Sequence, residues 1–194
     1  MDIRTIAWKD NAVKIIDQTK LHGEFTYLSI RDIKTLWHAI KELKVRGAPA
    51  LGAAAALGVY LGIKDSQTKT FPAFAKELDT VCRYIASSRP TARNLFWGIE
   101  RMCAVAIDNK DKSVAAIKQL MLKQALQIIE DDRRICRQIG LHGSKLIKKN
   151  ARVLTVCNTG ILATIDYGTA LGVVYKAHEQ KKNLKINIDK IYTS

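Results

Sequence analysis

Over residues 3–30, apolar and polar positions alternate in short runs broken by turn signals, "IAWKDNAVKIID" and then "LHGEFTYLS". Alternation of this kind predicts strands. Lys9, Asp10 and Asn11 between two apolar pieces suit a hairpin turn, and His22-Gly23 suits a second. The expectation is a small antiparallel sheet. From Ser29 to about Lys149 the period becomes helical. "SIRDIKTLWHAIKELKV" puts Ile33, Leu36, Trp37, Ile40 and Leu43 on one face. A longer stripe over 114–139 contains Val114, Ile117, Met121, Ala125, Ile128, Ile135 and Ile139, after which Gly140 and Gly143 are expected to interrupt the helix.

The pattern changes again after residue 150. "ARVLTVC" is a β-branched run, "NTG" a turn, "LATIDYGTALGVVYKAHEQ" a helix-compatible segment and "LKINID" a second strand. Strand, helix, strand is a βαβ unit and implies a parallel pair. The fold class expected is α/β with an α+β N-terminal part. A small antiparallel sheet and a helical domain would occupy 1–149, and the start of an α/β domain 150–194.

Composition narrows the classes. With 194 residues, 47% hydrophobic and 26% charged, the chain can bury a sizeable core. The excess of 32 Lys and Arg over 18 Asp and Glu, net +14, favours anionic partners. Nucleic acid is not the expected one. The densest basic cluster, "KLIKKNAR" at 145–152, has no aromatic residue on which a base could stack. Cys82, Cys103, Cys136 and Cys157 are far apart in sequence, without a C-x-x-C pair, which argues against a zinc knuckle or a redox dithiol motif. His22, His38, His142 and His178 share no ligand spacing. The N-terminus, "MDIRTIAWKD", carries no secretion signal, and the longest uncharged run, 48–63, is short for a membrane span. The expectation is a cytoplasmic protein with reduced thiols and no membrane partner.

Three stretches carry candidate chemistry. In "VRGAPALG" (45–52), Pro49 suits the first turn of a helix, whose unpaired N–H groups attract anions. Arg46 beside it adds donors for phosphate or carboxylate, and Gly47 permits close backbone approach. The same residues also suit a plain turn into an Ala-rich helix, with Arg46 in a structural salt bridge. In "SSRPTARNLFWGI" (87–99) the arrangement repeats, with Arg89 before Pro90 at an expected helix start and Ser87 and Ser88 as caps. Arg93 falls inside that helix and is expected to face a carboxylate. In "CNTG" (157–160), Cys157 sits just past a strand, where open α/β sheets bind ligands, and a following helix start or nest of N–H groups would lower its pKa. A packing cysteine is the competing reading. Glu130, Asp131 and Asp132 ahead of Arg133 and Arg134 read as a solvated helix face with local pairing.

Taken in order, "VRGAPALG", "RPTARNL", "IGLHGSKLI" and "VLTVCNTGILATIDYGTALG" resemble the methylthioribose-1-phosphate isomerase family, which is related to the alpha, beta and delta subunits of translation initiation factor 2B. The resemblance covers nearly the whole chain. It implies a Rossmann-like second domain, aldose-to-ketose isomerisation of 5-methylthioribose 1-phosphate in methionine salvage, and no metal or organic cofactor. By the same resemblance, Arg46, Gly47 and Ala48 contact the substrate, Arg89 helps hold its phosphate, and Cys157 stabilises the transition state. A small sugar phosphate is then the partner, with 5-deoxyribose 1-phosphate a second possible substrate. Family members often form homodimers through the later domain. The family's catalytic aspartate lies beyond position 194, so the expectation is a C-terminally shortened member without activity of its own. The alternative function is a regulatory or interaction protein like the initiation-factor subunits.

Overall fold

The first hairpin turns on two residues in left-handed conformation, Asp10 (φ 55°) and Asn11 (φ 56°). A two-residue turn with both positions at positive φ matches the twist of the strands it joins, and Asp and Asn adopt it at least cost after glycine. It links β1 (Ile6–Lys9) to β2 (Ala12–Ile16) with Ile6 opposite Ile15 and Lys9 opposite Ala12. β3 (Tyr27–Ile30) adds to the other edge of β2, also antiparallel. The expected small sheet is therefore present, and Val13, Ile15 and Ile30 join the main core. This computed structural model describes residues 3–21 and 23–180 in full and 185–189 by backbone. His22 of the second turn and the tail after Asp189 lie outside the described residues.

Five helices follow: α1 (Ile33–Lys41), α2 (Ala48–Ile63), α3 (Phe71–Ala86), α4 (Arg93–Asp108) and α5 (Val114–Ser144). Asp32 caps α1 by accepting the Thr35 N–H at 2.8 Å. Leu36, Ala39 and Ile40 form its buried face. Leu43, expected on that face, lies past the end of the helix at φ 62° and is 42% exposed. α2 is apolar all round, which suits a helix surrounded by others. It packs against α1, α3, α4 and α5 and forms the centre of the core.

α5 corrects two expectations. Its N-terminal stripe is buried through Ile128, but Ile135 is 49% exposed and Ile139 is exposed as well. The helix also runs through Gly140 and Gly143 instead of stopping there. A Cβ on Gly143 would lie 2.5 Å from Val173 Cγ2, and one on Gly140 2.9 Å from the Gly172 carbonyl oxygen. These glycines let α6 (Ala170–Glu179) dock closely on α5, and that packing outweighs their weak helix propensity.

β4 (Arg152–Val156) and β5 (Lys185–Asp189) are parallel, with Arg152 opposite Lys185 and Val156 opposite Asp189. With α6 between them they form the expected βαβ unit. Leu154 is 70% exposed and Val156 is exposed too, so one face of β4 presents apolar side chains to solvent. The segment expected to be one helix after the cysteine is instead a 3₁₀ turn (Ile161–Ala163), an irregular stretch, and then α6. No helix among the described residues is long and apolar enough to cross a membrane.

Candidate functional site

Cys157 follows β4 directly, adopts φ 75° and is exposed as a free thiol. A positive φ at a non-glycine residue persists where the surroundings hold it. The holding contacts lie just downstream. The Thr159 carbonyl accepts N–H groups from Thr169 (2.9 Å) and Leu171 (3.3 Å), folding the turn back onto the start of α6. Thr155 and Thr159 hydroxyls meet at 3.2 Å across the turn.

The rest of the loop is pinned by the N-terminal half of the chain. Thr5 donates its N–H to the Ile165 carbonyl (2.8 Å) and its hydroxyl to the Ile161 carbonyl (2.7 Å). The Gln18 amide donates to the Leu162 carbonyl at 2.7 Å, and its oxygen accepts from Arg46 Nε at 3.2 Å. Gln18 thus links the first arginine to the loop after the cysteine. Gly47, the N-cap of α2, has φ 95°, and a Cβ there would lie 2.3 Å from Ala163 Cα. Only a residue without a side chain fits that backbone-to-backbone contact. Gly47 directly, and Arg46 through Gln18, are therefore tied to residues 162–163 of the loop that follows Cys157. Arg46 makes no ion pair among the described residues; its partner is a neutral amide. Ala48 begins α2, with Pro49 in its first turn as expected, and is exposed.

α5 supplies a third set of pins. Asp132 accepts the Ile165 N–H at 2.9 Å, and Asp166, whose side chain is 2% exposed, accepts from Arg133 Nε (2.7 Å) and Arg137 (3.0 Å). Glu130 and Asp131 do pair locally with Arg133 and Arg134. The expected solvated face therefore holds only in part, since Asp132 and Arg133 face the loop. Burial raises the Asp132 carboxyl above its usual range, against the lowering effect of the Ile165 N–H and Cys136. Burial and then the Asp132 charge push the Cys136 thiol up to about 12. Thr5, Gln18 and Asp166 were not singled out by the sequence reading, and Asp132 was expected on a solvated face. The signal for Gln18 and Thr5 is weak, a polar residue at or near the end of a mostly apolar strand.

Arg89 sits elsewhere in the contact network. Ser87 and Ser88 close α3, with hydroxyls donating to the Tyr84 (2.7 Å) and Ile85 (2.6 Å) carbonyls, so they do not cap the next helix. Pro90 lies in the turn and α4 begins at Arg93, because the Ala92 N–H bonds back to the Arg89 carbonyl at 3.0 Å and closes one more turn first. Arg93 pairs with Glu100 at 2.8 Å, facing a carboxylate as expected. Arg89 Nη1 is buried without a hydrogen-bond partner among the described residues. Neither a hydrogen bond nor an ion pair among these residues joins Arg89, Arg46 and Cys157 to one another. A separate hollow of about 410 Å³ opens between α2, α4 and α5, lined by Pro49, Asn94, Trp97 and Arg101 among others, and includes none of the three. No group of three or more His, Cys, Asp or Glu among the described residues is placed to hold a metal ion.

Residues 44–190, from just before Arg46 to the end of the βαβ unit, match the model of the initiation factor 2 subunit family. The chain belongs to that family. Its relatives include the methylthioribose-1-phosphate isomerase of Geotalea daltonii, 49% identical over 97% of this chain and 55% of that protein. The 5-deoxyribose 1-phosphate isomerase of Moorella thermoacetica is 48% identical over 96% of this chain and 53% of its own length. Among solved structures, the translation initiation factor eIF-2B subunit delta from A. fulgidus superposes with a TM-score of 0.84 at 41% identity, covering 96% of this chain and 54% of that one. The chain spans about half the length of the curated relatives it matches. The isomerase resemblance carried by the four motifs agrees with the names of these relatives.

Proposed function

We propose that this chain supplies the phosphate-holding and thiol-bearing part of a sugar-phosphate isomerase site, with 5-methylthioribose 1-phosphate as substrate. The observation that carries this reading is the Arg46–Gln18–Leu162 link together with the Gly47–Ala163 contact, which ties the first arginine motif to the loop after Cys157. In an aldose-to-ketose isomerisation, hydrogen moves between C2 and C1 while the phosphate on C1 stays fixed. Arg46 and the N-terminus of α2, with the backbone of Gly47 and Ala48, suit the phosphate. Arg89, with one buried and unpartnered guanidinium nitrogen, is the second phosphate ligand in this reading. Cys157, exposed at the end of a parallel strand, lies beside the reacting carbons and stabilises charge that develops there. No metal or organic cofactor takes part. The organisation that goes with this reading is a first unit over 1–149 and the beginning of a Rossmann-like unit over 150–194.

Calorimetric titration with 5-methylthioribose 1-phosphate and with unphosphorylated 5-methylthioribose tests the reading. The phosphorylated sugar is expected to bind, the other not, and Arg46→Ala and Arg89→Ala should each weaken binding at least tenfold. Equal binding of both sugars, or unchanged affinity in both variants, removes the proposal. The Moorella relative's name favours 5-deoxyribose 1-phosphate as a second substrate, and the same titration ranks the two. A regulatory role is the alternative favoured by the likeness to the eIF-2B delta subunit. It predicts phosphate-independent behaviour and no effect of Cys157→Ser, whereas in the isomerase reading that variant abolishes any turnover found.

A further inference from the structure

Cys82 on α3 and Cys103 on α4 are far apart in sequence, yet the packing of the two helices brings their sulfurs to 3.4 Å. A disulfide requires about 2.05 Å, so closing the gap takes a shift of little more than an ångström shared by two side chains. The two thiols differ in access: Cys82 is buried and Cys103 is half-buried. A small oxidant can therefore reach one sulfur while the other waits behind it. The hydrogen bond with Cys82 lowers the Cys103 thiol from its ordinary range, although burial and the Asp79 and Glu100 carboxylates act the other way. Cys82 is pushed up, first by that same bond and then by burial. Cys103 is the more accessible sulfur, and access to a thiolate is what makes a cysteine reactive. Cys136 is buried with its pKa raised to about 12, and Cys157 has no sulfur neighbour among the described residues, so neither shares this arrangement.

We propose that Cys82 and Cys103 are a redox-active dithiol that a hydroperoxide converts to a reversible disulfide, stapling the α3–α4 hairpin whose turn carries Arg89. The Cys103 thiolate attacks a peroxide oxygen. The O–O bond breaks, hydroxide leaves and takes up a proton to become water, and Cys103 becomes a sulfenic acid. The Cys82 sulfur then attacks the Cys103 sulfur. The S–S bond forms as the S–O bond breaks, and the departing hydroxide takes the Cys82 proton to give a second water. Two thiols lose two electrons and one hydrogen peroxide is reduced to two waters; dithiothreitol reverses the change. The proposal does not depend on the sugar-phosphate reading.

The test uses the 194-residue chain treated with hydrogen peroxide, blocked with N-ethylmaleimide and digested with trypsin without reductant. The expected product is a disulfide linking peptide Glu77–Arg83 to peptide Met102–Lys110, absent after dithiothreitol. The oxidised protein should also melt several degrees higher, because the bond restricts the unfolded chain. In Cys82→Ser, dimedone should trap a sulfenic acid at Cys103, a signature that a merely packed cysteine would not give. Free or over-oxidised Cys82 and Cys103 in the treated wild-type chain, or pairing of either with Cys157, overturns the proposal. The wild-type peptide map decides the matter alone if the serine variant fails to fold.

Discussion

Gly47→Ala is expected to have a large effect for its size. The added Cβ would lie 2.3 Å from Ala163 Cα and 2.6 Å from both Ala163 Cβ and the Ala163 carbonyl oxygen. Two of these atoms are backbone, so no side chain can swing away; either α2 or the 161–165 segment must move. Forcing extra volume into a packed contact costs about 1–3 kcal/mol. Holding an alanine at φ 95° adds about 1–3 kcal/mol. The sum, roughly 2–6 kcal/mol, corresponds to a fall in melting temperature on the order of 5–20 °C at this chain length. The measurement is thermal unfolding by circular dichroism, with amide exchange at Thr5 as the local reporter, since its N–H donates to the Ile165 carbonyl. Thr5 exchange is expected to accelerate more than exchange in the middle of α2. Gly23→Ala is the control: its Cβ would meet only the Lys20 carbonyl oxygen, at 3.9 Å. If Gly47→Ala and Gly23→Ala both stay within about 0.5 kcal/mol of wild type, the Gly47–Ala163 contact does not anchor the loop and the reasoning fails.

Gln18→Leu should destabilise by about 1–3 kcal/mol, because it strands the Leu162 carbonyl and Arg46 Nε at once; chemical denaturation measures this, and a neutral result removes Gln18 as the connector. Asp132 has its pKa raised in the folded state, so the native protein holds that proton more tightly than the unfolded chain. Its ionisation therefore subtracts stability as pH rises from the ordinary value of 3.8 through the raised one, and the penalty is complete above it. Asn at this position can still accept the Ile165 N–H, so the stability of Asp132→Asn relative to wild type should increase across that window in urea unfolding at a series of pH values; a difference independent of pH rejects the assignment. Leu154→Lys should lower dye binding to exposed apolar surface and slow aggregation while leaving the melting temperature nearly unchanged, since the side chain is 70% exposed on a parallel strand. A large loss of stability there would mean that Leu154 is packed.

Periodicity made the hairpin, α1, the buried half of α5 and the βαβ unit legible, because each presents one apolar face at the spacing of its backbone. Propensity misled where packing decided the outcome. Gly140 and Gly143 are weak helix formers, but α6 can approach α5 only across residues without side chains, so the helix continues. Pro90 suits a helix start, yet the 89–92 turn closes first and α4 begins three residues later. The pins of the cysteine loop were invisible for another reason. Thr5 and Gln18 are inconspicuous polar residues and Asp132 is one carboxylate in a charged run, and each bonds to a backbone carbonyl or N–H more than thirty positions away. Backbone partners leave no trace in the pattern of side chains, so no spacing rule recovers them.

These pins also explain why the two arginine motifs differ in kind. Arg46 is aimed by Gln18, which is buried and bonded to the same loop that follows Cys157, so any shift of the cysteine turn shifts Arg46 with it. Arg89 belongs to a hairpin turn tied to α3 and α4, and among the described residues its buried Nη1 bonds to nothing. A buried guanidinium donor without an acceptor costs about 1–3 kcal/mol or more. An anion that accepted from it would recover that loss. In the proposed site the thiol and the Gln18-aimed arginine would be positioned by the fold, whereas Arg89 Nη1 would find its acceptor only in the ligand.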